Sequence, residues 1–201
     1  MNKLAKLAVP LNWRHEKKRP VPHFYVMSCQ DRLPDPRTVV DSLPIGTAII
    51  LRNTDPQKLE HLARSVLPHA HRRGLKVLLA NNVRLALKLG ADGVHLSEKT
   101  ARCGPRRHVS HQLDFLISAA AHSKRAIWWA QQANADIVLL SPVFATRSHV
   151  NGKPLGLLRT LRLAQTCPVR CIALGGIDAL SARRLKHKSI YGLAAIGAWI
   201  D

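Results

Sequence analysis

The sequence predicts an α/β fold, a (β/α)8 TIM barrel that is shortened, with its last helix missing or reduced. Eight apolar runs of strand length, helical periodicity between most of them, and no GxGxxG after the first run carry that reading. The runs are continuous rather than alternating, as in parallel strands buried on both faces. Eight strands in alternation with helices suit a closed barrel, whereas an open doubly wound sheet commonly shows a glycine-rich turn after its first strand. At 201 residues the chain is below the usual barrel length of about 250.

In chain order, His23–Cys29 is rich in strand formers, and Thr47–Arg52 is a second run too short for a helix. Pro56–Arg73 places Leu59, Leu62, Ala63, Val66 and Leu67 on one stripe, and Gly74 ends that helix. Leu75–Ala80 is the third strand, Val83–Leu89 a short helix stopped by Gly90, and Asp92–Leu96 the fourth strand. Glu98 to Gln112 reads as loop or a stunted helix, the first place where the barrel is short. Asp114–Ala119 and Ala135–Ser141 are the fifth and sixth strands, joined by a helix over Ser123–Ala133. Trp128 and Trp129 are neighbours on that helix, so at most one points inward. Leu157–Ala164 is a helix, Pro168–Leu174 the seventh strand, and Ser181 is expected to N-cap the helix carrying Arg183 and Leu185. Tyr191–Ile196 is the eighth strand, and the sequence given reaches its last residue soon after it. A ring short of its last helix exposes apolar surface beside the first and eighth strands. The basic N-terminal segment or a second subunit is expected to cover it, with Trp13 and Trp199 as candidates, so a docked arm or a homo-oligomer is anticipated.

Composition narrows the class. Hydrophobic residues make up 46% and charged residues 21%, a globular balance, and aromatics only 4%, so the core is aliphatic. No apolar run approaches the roughly 18 residues of a membrane span. Cys29, Cys103, Cys167 and Cys171 form no CxxC pair and no dense framework, which argues against a zinc ribbon or a disulfide-stapled secreted domain. Reduced thiols in a cytoplasmic protein are expected, with Cys29 and Cys171 packing within strands. Lys plus Arg number 31 against 12 Asp plus Glu, a net charge of +19. Such a surface attracts nucleic acid, anionic membranes and phosphorylated substrates alike. The basic clusters Arg14–Arg19, Arg102–His108 and Arg183–Lys188 interleave with no aromatics, so specific nucleic-acid binding is not expected. Residues 1–22 form a basic arm, acid-poor as in transit peptides but too interrupted for a signal-peptide core, and expected to be flexible or to hug the surface, and residues 23–201 form the barrel domain.

Barrel chemistry sits at the C-terminal ends of the strands, with phosphate on the loops after strands seven and eight. Gly175-Gly176 after strand seven and Gly197-Ala198 after strand eight let backbone amides approach an anion, and the first pair aims a helix N-terminus at it. Arg52 after strand two is a fixed cation suited to phosphate or carboxylate. His122, just beyond strand five, is placed to move protons. His95 lies inside strand four and is expected to pack or to orient a neighbour. No His/Cys/Asp/Glu spacing suggests a metal site.

Four stretches in this order resemble the thiamine phosphate synthase/TenI family over nearly all of residues 23–200: Ala91-Asp92-Gly93-Val94-His95-Leu96, Ala135–Thr146 (ADIVLLSPVFAT), Pro168-Val169 with Ala173–Ile177 (ALGGI), and Tyr191–Ile196 (YGLAAI). The resemblance implies the barrel fold and thiamine biosynthesis. The synthase joins a pyrimidine diphosphate to a thiazole phosphate with Mg²⁺ and releases diphosphate, whereas some TenI proteins aromatise a thiazole carboxylate phosphate by moving a proton. Carried over by position, Gly175, Gly176 and Gly197 fall on the thiazole-phosphate loops, and Thr146 and Ser148 on the family's Thr-x-Ser/Thr element. Arg52 falls on the arginine ending strand two, Asn81 on the asparagine of an Asn-Asp pair, and His122 on the acid/base histidine of the tautomerases.

The departures are specific. Arg-x-Lys reads Arg52-Asn53-Thr54, Asn-Asp reads Asn81-Asn82, Gly-Gln-Glu-Asp reads Ser97-Glu98-Lys99-Thr100, and the lysine after Thr-x-Ser/Thr reads His149. Both Mg²⁺-binding aspartates and both diphosphate-binding lysines are thus replaced. Glu98 is left as one carboxylate for Mg²⁺, needed only if synthase activity survives, with Lys99, Arg147 and His149 as compensating charge. The expected function is a TenI-like thiazole tautomerase that binds a phosphorylated thiazole. The alternatives are a divergent synthase that also takes the pyrimidine diphosphate, and a noncatalytic phosphate-ligand-binding or regulatory homologue.

Overall fold

The computed structural model describes residues 20–103, 114–146 and 153–196. Eight strands form a closed parallel barrel in the order β1 to β8: Phe24–Met27, Ala48–Leu51, Lys76–Ala80, Gly93–Leu96, Leu116–Ala121, Ile137–Leu140, Arg170–Leu174 and Gly192–Ala195. β8 closes the ring on β1, with Tyr25 opposite Ala194. Each of the first seven strands is followed by a helix: α1 Arg37–Val40, α2 Pro56–Arg72, α3 Val83–Leu89, α4 Glu98–Arg102, α5 Lys124–Gln132, α6 Leu157–Gln165 and α7 Ala179–Arg184. Among the described residues no helix follows β8.

Alternate residues of each strand divide the core in two. Tyr25, Met27, Ile50, Leu78, Leu116, Leu139 and Ile172 fill the barrel. Val26, Ile49, Val77, Val94, Ile117, Val138 and Leu193 face outward and bury the apolar stripes of the helices. On α2 the buried stripe is Leu59, Ala63, Val66, Leu67 and Ala70. Its start is fixed by Asp55, whose carboxylate accepts from the amides of Gln57 and Lys58. α3 stops at Gly90, which takes φ +67° as its C-cap.

Local expectations change at the end of β5, at the cap of α7 and at Cys29, whereas the stunted helix expected after β4 is present. β5 runs two residues beyond Ala119, to Ala121, so His122 is the first residue after it. The stretch after β4 begins as the five-residue helix α4, capped by Ser97 on the amide of Thr100. Ser181 is not the cap of α7: Asp178 is, accepting from the amides of Leu180 and Ser181, while Ser181 returns a hydroxyl to the Asp178 amide. Cys171 is buried in β7, whereas Cys29 lies past the end of β1 and is half-buried. Trp128 is exposed and Trp129 half-buried, as adjacent helical positions require.

The N-terminal end of the barrel is tied by two aspartates. Asp92 accepts from the Val77 amide at 2.8 Å and also bonds Lys76 Nζ and His71 Nε2, each at 2.8 Å. Asp136 accepts from the Ile117 amide at 2.8 Å. Each aspartate returns its own amide to the same neighbour's carbonyl. Val21 and Pro22 are buried at this end, and the Tyr191 hydroxyl donates to the Val21 carbonyl. Residues 1–19, with Trp13, and residues 197–201, with Trp199, lie outside the described residues.

Candidate functional site

The opposite mouth of the barrel gathers the candidate residues. His122 sits on top of β5, with Nδ1 2.6 Å from the backbone carbonyl oxygen of Ser141 at the end of β6. A carbonyl only accepts, so Nδ1 carries the hydrogen and Nε2 is the open nitrogen. Nε2 lies 4.0 Å from Glu98 Oε2, with the imidazole side chain half exposed. That carboxylate oxygen is buried and has no hydrogen-bond partner among the described residues. Strand register brings the two together: Leu96 pairs with Ala119 across β4 and β5, so the positions just beyond both strands meet. The 23 residues between them in sequence hide this, and only the barrel pairing could have disclosed it.

Arg52 follows β2, and its amide donates to the Ser28 hydroxyl at 2.8 Å. Beneath it, His95 points into the barrel from β4 and is fully enclosed, its Nδ1 2.9 Å from the Ser118 hydroxyl of β5. Burial, reinforced by the Arg52 guanidinium, lowers the pKa of His95 to about 4. His95 is therefore a neutral packing residue that shows where the Arg52 charge acts.

Asn81 ends β3 in the left-handed region at φ +57°. Its side-chain carbonyl accepts from the Ser97 amide at 2.7 Å, which staples the tops of β3 and β4. Asn82 caps α3 through the Leu85 amide. The Thr100 hydroxyl is 2.9 Å from that of Ser97. Asn82 and Thr100 stand where the resemblance places the Mg²⁺-binding aspartates. Both are neutral and engaged in helix caps, and segments 104–113 and 147–152 contain no acidic residue. Glu98 is turned toward His122. Mg²⁺ prefers octahedral oxygen coordination, through one or two carboxylates together with phosphates and water, and of these positions only Glu98 carries a carboxylate.

Gly175 and Gly176 take φ +101° and +63°. A Cβ on Gly175 would stand 2.9 Å from Pro142, and one on Gly176 would strike the Ala145 carbonyl and Phe144 Cβ. The loops after β6 and β7 are zipped together by Val143 N–H to Leu174 O at 2.9 Å and Phe144 N–H to Gly175 O at 3.0 Å. The glycines thus have a packing reason, whatever else they hold. At the start of α7, Asp178 occupies the Leu180 and Ser181 amides. An Asp-x-x-Ser pattern in the sequence carried that signal. Thr146 closes the described part of the β6 loop; Ser148, His149 and Gly197 lie outside the described residues.

Residues 25–199 match the family model TMP-TENI, described as thiamine monophosphate synthase. A thiamine-phosphate synthase of Geobacillus kaustophilus is 28% identical over 193 residues, covering 90% of this chain and 85% of that protein. One of Methanoculleus marisnigri is 34% identical over 128 residues, 62% of this chain and 59% of its own length. Among solved structures, a thiamine phosphate pyrophosphorylase from Pyrococcus furiosus shares the fold with a TM-score of 0.69, at 20% identity, covering 87% of this chain and 85% of that one.

Proposed function

The chain belongs to the thiamine monophosphate synthase (TMP-TENI) family of thiamine biosynthesis, and from that premise we propose that it is a TenI-like enzyme that binds a thiazole phosphate and moves a proton on it. The observation that carries the reading is the orientation of His122, whose Nδ1 is held by the Ser141 carbonyl while Nε2 stays open at the mouth. In this reading the phosphate lies against the loops of Gly175, Gly176 and Gly197, with Arg52 and the segment Thr146, Ser148 and His149 contributing charge and hydrogen bonds. Nε2 accepts a proton from one carbon of the ring system and returns it to another. Asn81 shapes the mouth by holding the Ser97 amide.

The donor set around Asn82 and Thr100 favours this reaction over diphosphate displacement, and no step of it uses a metal. A second reading, a divergent thiamine phosphate synthase, is favoured by the names of the relatives. The test offers purified protein the non-aromatic tautomer of a thiazole carboxylate phosphate and, separately, pyrimidine diphosphate with thiazole phosphate and Mg²⁺. Aromatisation by the wild type is expected, with His122→Ala slower by about 10²–10⁴-fold and ligand binding retained. Steady diphosphate release with thiamine phosphate formed would instead establish the synthase. A thermal shift by thiazole phosphate without either turnover would leave a silent binder.

A further inference from the structure

We propose that Glu98 is the positioning partner of His122: its buried carboxylate oxygen faces Nε2 and stabilises the imidazolium formed when that nitrogen takes a substrate proton. The inference rests on the proton-transfer reading above and deepens it. The two ring nitrogens face two acceptors, the Ser141 carbonyl at 2.6 Å and Glu98 Oε2 at 4.0 Å. In the neutral ring Nδ1 carries the only hydrogen, and Nε2 is free for the substrate. A proton arriving at Nε2 makes the ring a cation 4.0 Å from the Glu98 carboxylate, an ion pair that needs no hydrogen bond between them.

The burial of Oε2, and its lack of a hydrogen-bond partner among the described residues, makes this pairing more than a surface contact. A buried carboxylate oxygen without a donor is costly, and positive charge on the adjacent imidazole offsets part of that cost. The same burial keeps substrate away from Oε2, so Glu98 acts through His122. The step balances without a co-reactant. A C–H bond breaks, its electron pair stays in the substrate's π system, and the proton goes to Nε2. The proton then leaves Nε2 for a second carbon and the ring returns to neutral, with nothing oxidised or reduced.

The test uses the full-length protein with ¹⁵N-labelled histidine, and variants Glu98→Gln and Glu98→Asp. Gln keeps the size and removes the charge; Asp keeps the charge one methylene short. With the tautomer as substrate, Glu98→Gln is expected to lower kcat about tenfold or more with KM within about twofold, and Glu98→Asp to retain more of kcat than Gln does. The ¹⁵N resonance of His122 Nε2 is expected to move in Glu98→Gln, with Nδ1 unmoved. Wild-type kcat in Glu98→Gln, or a loss expressed only in KM, overturns the proposal. An unmoved Nε2 resonance overturns the pairing itself. A wild type that does not aromatise the tautomer, although Nε2 responds to Glu98→Gln, overturns the proton-transfer reading and with it the catalytic role of the pair.

Discussion

The two ends of this barrel use carboxylates in opposite ways. At the N-terminal end Asp92 and Asp136 are satisfied, each bridging the backbone of the preceding strand, and Asp92 also holds Lys76 and His71. At the C-terminal mouth Glu98 keeps one buried oxygen without a hydrogen bond among the described residues, opposite an open imidazole nitrogen. A fold gains stability from the first arrangement and loses some from the second. On the function proposed above, the mouth is the end that holds the chemistry, which follows the general division of barrels into a stability face and a reactive face.

His95 sets the boundary between the two regions, and its pH response is the largest stability effect expected. Its pKa falls from 6.5 to about 4 in the folded chain, through burial first and the Arg52 charge second. The folded value is the lower one, so the unfolded chain takes up the proton first as pH falls. The stability linked to neutral His95 is complete above about pH 6.5 and is lost progressively toward pH 4, at about 1.4 kcal/mol per pH unit. Denaturant titrations at pH 7 and pH 5 should therefore differ by about 2 kcal/mol from this residue, and His95→Gln should remove that part of the slope. An unchanged slope in the variant would mean that the interior beneath the mouth is wet, which blurs the boundary.

Next in size is the removal of a tie at the stability end. Asp92→Ala leaves the Val77 amide without its acceptor and frees Lys76 and His71, at a cost of about 1–3 kcal/mol. The Asp92 carboxylate sits below the ordinary range: burial raises its pKa, but the bonds from Lys76, the Val77 amide and His71 together outweigh it. Its stabilising share is thus present above the unfolded carboxylate value and lost as pH falls through the folded one. A lower midpoint of chemical unfolding, with turnover per folded molecule unchanged, is the expected outcome. A loss of turnover greater than the loss of folded protein would break the separation of the two ends.

Much of the barrel was legible from residues alone. The continuous runs gave all eight strands, because a strand buried on both faces has no polar alternation to confuse it. Helices with a full apolar stripe, such as α2, were equally plain, whereas α1, four residues long, has no period to read. The site was legible only in position. His122 and Arg52 could be placed at strand ends, but the partners that give them meaning come from strand register. Glu98 meets His122 across β4 and β5, and Asn81 meets Ser97 across β3 and β4. The motifs that betray the family are divided in the same way. Asp92 and Asp136 open two of the most recognisable stretches, yet both aspartates serve the backbone far from the mouth.

The smallest effect tests a carboxylate on the mouth side that serves stability. Asp178 caps α7 by accepting from Leu180 and Ser181, and hydrogen bonds from Ser181 hold its pKa below the ordinary carboxylate range. Asp178→Ala removes both bonds at the start of a six-residue helix and should cost about 1 kcal/mol, while Asp178→Asn, an equally good cap, should cost a few tenths. The Ser181 hydroxyl also donates to the Gly176 carbonyl at 3.1 Å, so a loosened cap reaches the glycine loop proposed to receive the phosphate. Differential scanning fluorimetry with and without thiazole phosphate separates the two consequences. A Tm loss in Asp178→Ala with an unchanged ligand-induced shift would confine the cap to stability. A diminished shift in Ala but not in Asn would tie the loop's geometry to the cap, and would place Asp178 with Glu98 rather than with Asp92 and Asp136.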